Sequence, residues 1–427
     1  MTRPWLLILV FALLTGCFGG APTEPEAQEI ATAKKRPTTK AKSTAGGPSY
    51  ATADDASGER FDSSLGEPGK DKAASAPIPT PTPPNGVTAQ AGLVDSGIQI
   101  HFEELSGRWA IRPSLNRARM GHAAGGLSDR LIVAEGDHRP SFEELLPGGE
   151  AWRLDDTYDL SWGLKTDRLA RDQGLNLVTA GVQKSFDELW VTGGMAGSLD
   201  PTGRLGSALF YLYRGRGFSR ARTVETGSFT LGTLRYAAAG GVVGSEFVVV
   251  GGSNKQGTVL NKTEIVDIAG TPKANNRIGA PMPWPEGEAV ASGVAGAASA
   301  TAENQLFVVG GYVVVNGRPV VQKAVHSYNV KIDAWTRLPD LPKEVHGAAA
   351  AVMDDTLYVV GGFDSKGVPQ GAFYAYPLTT GDRWLTPPAM PTARGMLTLT
   401  PFRGMLWAIG GVGANRRALQ TVEVYRP

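Results

Sequence analysis

Three arginines and two histidines are the residues of this chain whose types and spacing could do chemistry. Arg119, Arg235 and Arg394 each stand twelve positions before an apolar anchor, respectively Leu131, Phe247 and Leu406. Each anchor opens a short hydrophobic run. Three more anchors, Leu189, Leu306 and Leu357, have Leu177, Val294 and Val345 at the same offset. If the offset marks the start of a strand near one mouth of a central channel, the three guanidiniums gather around an opening. Their planar forks of N–H donors suit a carboxylate, a phosphate or an acidic sugar. The competing reading is that each arginine braces its own unit by bonding a neighbouring loop. His122 and His346 lie close in phase to the arginines. A pair of imidazoles invites a metal or acid–base role. No third ligand stands at useful spacing, so no metal site is read, and the competing role is an ordinary structural histidine.

The segments that follow the hydrophobic runs are polar and lean basic: Asp137-His138-Arg139, Ser253-Asn254-Lys255, Phe363-Asp364-Ser365 and Asn415-Arg416-Arg417. They can hydrogen-bond a glycan or a peptide, as many surface loops can. The chain has no Gly-x-x-x-x-Gly-Lys-Ser/Thr loop, no His-Glu-x-x-His and no Cys-x-x-Cys. No catalytic residue and no cofactor is assigned.

The elements that must position these groups repeat. Five runs end in a glycine pair: Gly193-Gly194, Gly251-Gly252, Gly310-Gly311, Gly361-Gly362 and Gly410-Gly411. A sixth, degenerate copy ends in Glu135-Gly136. Successive marks are 49 to 59 residues apart, and strand-like units at such a period are the sign of a propeller. The fifth unit reads as four strands. Gly347–Val352 is a small-residue strand, Leu357–Val360 ends in the glycine pair, Ala372–Tyr376 alternates, and Gly381–Leu385 carries Trp384. Small residues suit the crowded axis, and the aromatic residues fill the wider space between outer strands.

The glycine pair, a third-strand tyrosine (Tyr328, Tyr376, Tyr425) and a fourth-strand tryptophan (Trp162, Trp335, Trp384) make the chain resemble the kelch family. The resemblance covers roughly residues 105 to 427. It implies an all-β, six-bladed kelch-type β-propeller of four-stranded blades. Phe218 takes the place of the tryptophan in the second unit, and the third unit has no clear one. The last unit stops after its third strand. Its missing strand matches an upstream segment: Gly107 to Arg119 aligns without gaps to Asp382 to Arg394, with Trp109 on Trp384. An amino-terminal strand at Trp109 is therefore expected to close the last blade. Ile98, Ile100 and Phe102 alternate like one further strand.

Lys+Arg is 42 and Asp+Glu 41, for a net charge of +1. That balance argues against a nucleic-acid partner. Met1-Thr-Arg3 and the ten-residue apolar stretch Trp5–Leu14 form a signal peptide over 1–16, too short to span a bilayer. Leu14-Thr15-Gly16-Cys17 resembles the bacterial lipoprotein cleavage box, and Cys17 is the chain's one cysteine. The resemblance implies a lipid on its sulfur, and two or more acyl chains make a lasting anchor. Phe18 in place of Asp leans towards the outer membrane. Residues 17–90 are rich in Pro, Ala and Thr and read as a disordered tether, with a loose basic cluster at Lys34-Lys35-Arg36, Lys40 and Lys42. About 70 residues reach ~230 Å when extended. The propeller domain takes 91–427.

These readings make the protein a monomeric, membrane-anchored, non-catalytic binding module of the bacterial cell envelope, with a protein or glycan at the propeller mouth. The alternative is a periplasmic sugar mutarotase or epimerase, which rests on resemblance to the kelch-fold sialic acid mutarotase. The galactose oxidase type, on a related propeller, needs a cysteine bonded to a tyrosine, and Cys17 lies at the far end of the chain.

Overall fold

The computed structural model describes residues 106–137, 141–155, 175–185, 187–196, 209–212, 231–268, 276–283 and 293–427. The signal peptide, Cys17, the tether, Trp162, Phe218, His138, Arg139 and the Ile98–Phe102 stretch lie outside them. The described residues form strands, turns and loops, with no helix among them. Among the described residues, six antiparallel sheets of three or four strands follow one another in sequence, with two separate two-stranded ribbons. Inner strands touch the next sheet's inner strand in turn, and the last touches the first. The fold is a β-propeller.

The six inner strands are Ala123–Gly126, Thr179–Gln183, Ala239–Val243, Ala298–Ala302, Ala349–Met353 and Thr398–Phe402. Their small residues answer a steric demand. A Cβ on Gly126 would lie 2.3 Å from the Pro401 carbonyl, and one on Gly181 2.3 Å from the Val242 nitrogen. The second strands are continuous apolar runs, because neighbouring sheets bury both of their faces. Leu131–Ala134, Glu188–Thr192 and Met405–Ile409 are buried at every position.

A closed belt of main-chain hydrogen bonds joins the sheets around the axis. Gly121 N–H donates to Met396 O (2.8 Å), Met396 to Gly347 (2.7 Å), Gly347 to Gly296 (2.7 Å), Gly296 to Ala237 (2.9 Å) and Ala237 to Leu177 (3.0 Å). Val178 N–H donates to Gly121 O (3.1 Å) and completes the circle. The six carbonyl-bearing residues all lie in the left-handed region, with φ from 52° to 61°. Leu177, Ala237 and Met396 hold that conformation without being glycine, at a cost of roughly 1–2 kcal/mol each.

The glycine marks build a second set of links. The second glycine of each pair donates its N–H to the residue that leads into the next sheet: Gly194 to Arg235, Gly252 to Val294, Gly311 to Val345, Gly362 to Arg394 and Gly411 to Arg119, at 2.8 to 3.0 Å. Gly136 donates to Leu175 (2.7 Å). Leu175, and not Leu177, is therefore the second unit's counterpart of the arginines. Four residues join the paired Gln183 and Glu188, whereas two join Val243 and Glu246. That longer hairpin shifts the count by two. The second glycines have φ of 76° to 101°, a range that L-residues scarcely enter. The first glycine needs a milder value, which is how Glu135 (φ 63°) stands in for it.

The outer strands follow the aromatic pattern with two corrections. Trp335 and Trp109 pair with Tyr328 and Tyr425, and Trp109–Arg112 completes the sheet of Thr398–Phe402, Met405–Ile409 and Val422–Tyr425. Each indole N–H reaches back to the preceding sheet, from Trp335 to Ala280 O (2.9 Å), Trp384 to Pro339 O (2.9 Å) and Trp109 to Pro388 O (2.8 Å). The first correction is in the first sheet, where Trp152 makes this bond, to Pro113 O (2.9 Å). The role assigned to Trp162 thus falls to Trp152, ten residues earlier. The second is that Trp384 lies beside a single bridge, Ala375 to Leu385, so the fifth sheet has three strands.

The belt yields a paired prediction. Gly296→Ala and Gly121→Ala impose the same left-handed strain, but the new Cβ meets Tyr312 at 3.4 Å in the first and the Leu177 nitrogen at 2.6 Å in the second. Urea unfolding should give a loss of about 1–2 kcal/mol for Gly296→Ala and a clearly larger one for Gly121→Ala.

Candidate functional site

The three arginines lie inside their sheets and away from the channel. Arg119, Arg235 and Arg394 are 0% exposed. Each meets a buried carboxylate of its own third strand: Arg119 with Glu143 (3.0 Å), Arg235 with Glu264 (2.5 Å) and Arg394 with Glu423. Each also donates to the residue 16 positions on, at the first glycine mark: Glu135 O (2.6 Å), Gly251 O (2.9 Å) and Gly410 O (2.8 Å). Further donors go to Ser141 (carbonyl and hydroxyl), Lys262 O, Thr392 O and Ala408 O. The carboxylates are equally engaged. Glu143 accepts from Asn116 and Arg117, Glu264 from Gly232, and Glu423 from Thr392. The expectation of an arginine-lined mouth is corrected to the competing reading: each guanidinium braces its own sheet. Burial pulls all three below their ordinary pKa, and the partner carboxylates push back.

The sheets without an arginine lack the acid as well. Glu143, Glu264 and Glu423 stand opposite Val133, Val249 and Ala408. The same register holds His326 in the fourth sheet, Tyr374 in the fifth and Phe210 in the second. The lead-in residues there are Val294, Val345 and Leu175. A lone buried charge is far costlier than a matched pair, so the two positions change together.

The channel is lined mostly by small and apolar groups, with His122 in the wall of one cavity and Lys184 in the wall of the other. Two cavities of about 190 and 200 Å³ lie along it, one at the belt and one at the opposite ends of the inner strands. Ala, Gly, Val, Leu, Ser and Thr supply most of the wall. Its hydroxyls serve the fold: Thr179 donates to Ala238 O, Ser299 to Gly240 O, and Thr400 accepts from Gly126 N. At the belt end, Met120, Met195, Tyr236, Tyr312, Phe363 and Val412 form a buried apolar plug.

His122 and His346 are both buried, beside different inner strands. His122 Nε2 lies 2.9 Å from Thr398 Oγ1, while His346 packs at a tilt against Phe363 and meets Tyr312 edge-on. Burial, with Arg119 and Arg394 nearby, pushes His122 down to about 3; burial takes His346 to about 4. His326 is likewise pushed to about 4 by burial and then Arg337. No group of three metal-ligating side chains occurs among the described residues. Glu135 is the titratable group the sequence reading passed over. It is buried, accepts Leu175 N–H (2.6 Å), and burial raises it to about 7. Its signal was a carboxylate where five units have glycine.

The loop tips after the glycine marks face solvent. Lys255-Gln256, Asn316-Gly317-Arg318, Ser365-Lys366 and Asn415-Arg416-Arg417 are exposed. Asn254 and Asp364 shape two of these loops alike, each accepting two backbone N–H bonds two and four residues on.

Comparisons with known proteins agree with this architecture. Residues 293–342 and 345–390 match the Kelch motif. The chain is similar to the Kelch-like protein terF of Aspergillus terreus, 31% identical over 138 residues, covering 31% of this chain and 29% of that one. It is also similar to Beta-scruin of Limulus polyphemus, 27% identical over 122 residues, covering 28% of this chain and 13% of that one. It thus spans under a third of the length of these curated relatives. A solved structure described as that of YjhT superposes with a TM-score of 0.56 at 14% identity, covering 73% of this chain and 96% of that one; this likeness is one of fold.

Two predictions follow from the buried charges. Glu264→Ala should cost about 3–5 kcal/mol, because Arg235 is left buried and unpaired. The double change Arg235→Val with Glu264→Tyr, which copies the fifth sheet, should cost less than the single one in the same urea experiment. In the second, stability should fall as pH drops from 6.5 towards 4. The lowered histidines are neutral when folded, so each adds a slope of up to roughly 1.4 kcal/mol per pH unit over that window. Glu135, being raised, opposes them: its contribution is full below about 4.5 and lost as pH rises through about 7. His346→Leu should flatten the acid slope of Tm, and Glu135→Gln should steepen it. The chain carries kelch repeats and folds as a β-propeller.

Proposed function

We propose that this protein is a non-catalytic binding module of the bacterial envelope, held to a membrane through lipid on Cys17. It carries a six-bladed kelch propeller, one blade per glycine mark, on the tether of residues 17–90. The loop tips after the glycine marks engage an envelope protein or glycan. The observation that carries this reading is the full commitment of Arg119, Arg235 and Arg394 to buried pairs inside their sheets. The charges that would have served an acidic sugar at the mouth are unavailable to any ligand. Exposed polar groups that a ligand could meet are carried by the loops that follow the glycine marks. The lipoprotein-like box at Leu14–Cys17 and the tether's composition supply the anchor half of the proposal.

The test is proton NMR of the protein with reducing sugars, including sialic and uronic acids, together with crosslinking in envelopes from a photoreactive group at Lys366 or Arg416. The expected result is unchanged anomeric exchange and capture of a discrete partner, or saturation transfer to a glycan. It should be lost on Arg416→Glu with Arg417→Glu. Accelerated anomeric exchange would overturn the reading in favour of a sugar mutarotase. Labelled palmitate that fails to appear on the wild type at Cys17, judged against Cys17→Ser, would remove the anchor.

A further inference from the structure

The space that a guanidinium fills in three sheets is open in the fifth. In the third sheet, Arg235 reaches Gly251 O, Lys262 O and the Glu264 carboxylate. The equivalent positions of the fifth sheet are Val345, Gly361, Ala372 and Tyr374, fixed by the strand register and by matching Gly251–Lys262 and Gly361–Ala372 main-chain bonds. All four line a cavity of about 350 Å³. That size falls within the range of small-ligand sites, roughly 300–1,000 Å³. The cavity has the walls of the guanidinium compartment without the guanidinium.

Its chemistry suits the missing group. Val345, Val359 and the Tyr374 ring supply an apolar sleeve for an alkyl stem. The Gly361 carbonyl occupies the place at which Gly251 and Gly410 accept from arginine. At the rim stand the carboxylates of Glu344 and Asp364, against one ammonium, Lys343. Asp364 uses Oδ1 for its turn, and its Oδ2 has only a long 3.3 Å bond from Gln370.

We propose that this cavity is a socket for an arginine side chain supplied by a partner protein, which restores in trans the brace that the fifth sheet lacks. The inference deepens the binding reading and rests on it for the source of the arginine; the socket itself is testable alone. The probe is N-acetyl-arginine amide at millimolar concentration, added to the full chain and followed by NMR shifts and Tm. Saturable shifts around Val345, Gly361 and Tyr374, with a raised Tm, are expected, and N-acetyl-lysine amide should give a weaker response. Val345→Arg with Tyr374→Glu rebuilds the internal pair, so it should abolish the response. Asp364→Asn keeps the turn, as Asn254 does in the third sheet, and should weaken binding at least about threefold. That milder variant decides the matter if the double variant fails to fold. Absence of saturable shifts, an equal response to the lysine analogue, or binding unchanged by Asp364→Asn would each overturn the socket. Partner capture by the loop tips despite such a failure would leave the broader binding reading standing.

Discussion

The rest of the structure depends on the closed belt of hydrogen bonds through Gly121, Val178, Ala237, Gly296, Gly347 and Met396. A ring of sheets has no free end only if every inner strand is fixed against both neighbours, and closure removes the exposed edges of an open sheet. The belt enforces this at the most crowded radius. It asks one left-handed residue of each sheet, and Leu177, Ala237 and Met396 accept the strain where glycine is absent. The convergence it imposes forces Ala and Gly into the inner strands. The channel that results is narrow, with cavities of about 190 and 200 Å³ along it.

The buried arginines extend the same logic outward. Each of the three takes the second glycine of the preceding sheet on its carbonyl and its own first glycine mark on its guanidinium. Main chain and side chain of one residue thereby join consecutive sheets. The matched carboxylate on the third strand makes the buried charge tolerable. Where the arginine is exchanged for Val345, the carboxylate becomes Tyr374 and the brace gives way to an open compartment.

Much of this was legible in the sequence. The glycine pairs located the second strands, and the match of Trp109 to Trp384 located the strand that closes the last sheet. The offset of twelve also found the right arginines. It could not say which way they point, because a lead-in residue can face the channel or its own sheet with the same spacing. The deciding signal was present but unread: Glu264 and Glu423 both lie 29 residues after their arginines, and the acid is missing where the arginine is. The shift from Leu177 to Leu175 arose from a longer hairpin, and Trp152 was passed over because Leu145 replaces the usual third-strand tyrosine beside it. Insertions and exchanged partners hide a repeat even where the backbone preserves it.

The central claim is that one closed belt makes the ring a single cooperative unit. Native-state hydrogen exchange of the belt amides, followed by NMR in low denaturant, tests it most directly. The account predicts that Gly121, Val178, Ala237, Gly296, Gly347 and Met396 converge on one opening free energy, that of global unfolding. Belt amides of one sheet exchanging through a lower-energy opening, while the others stay protected, would contradict it.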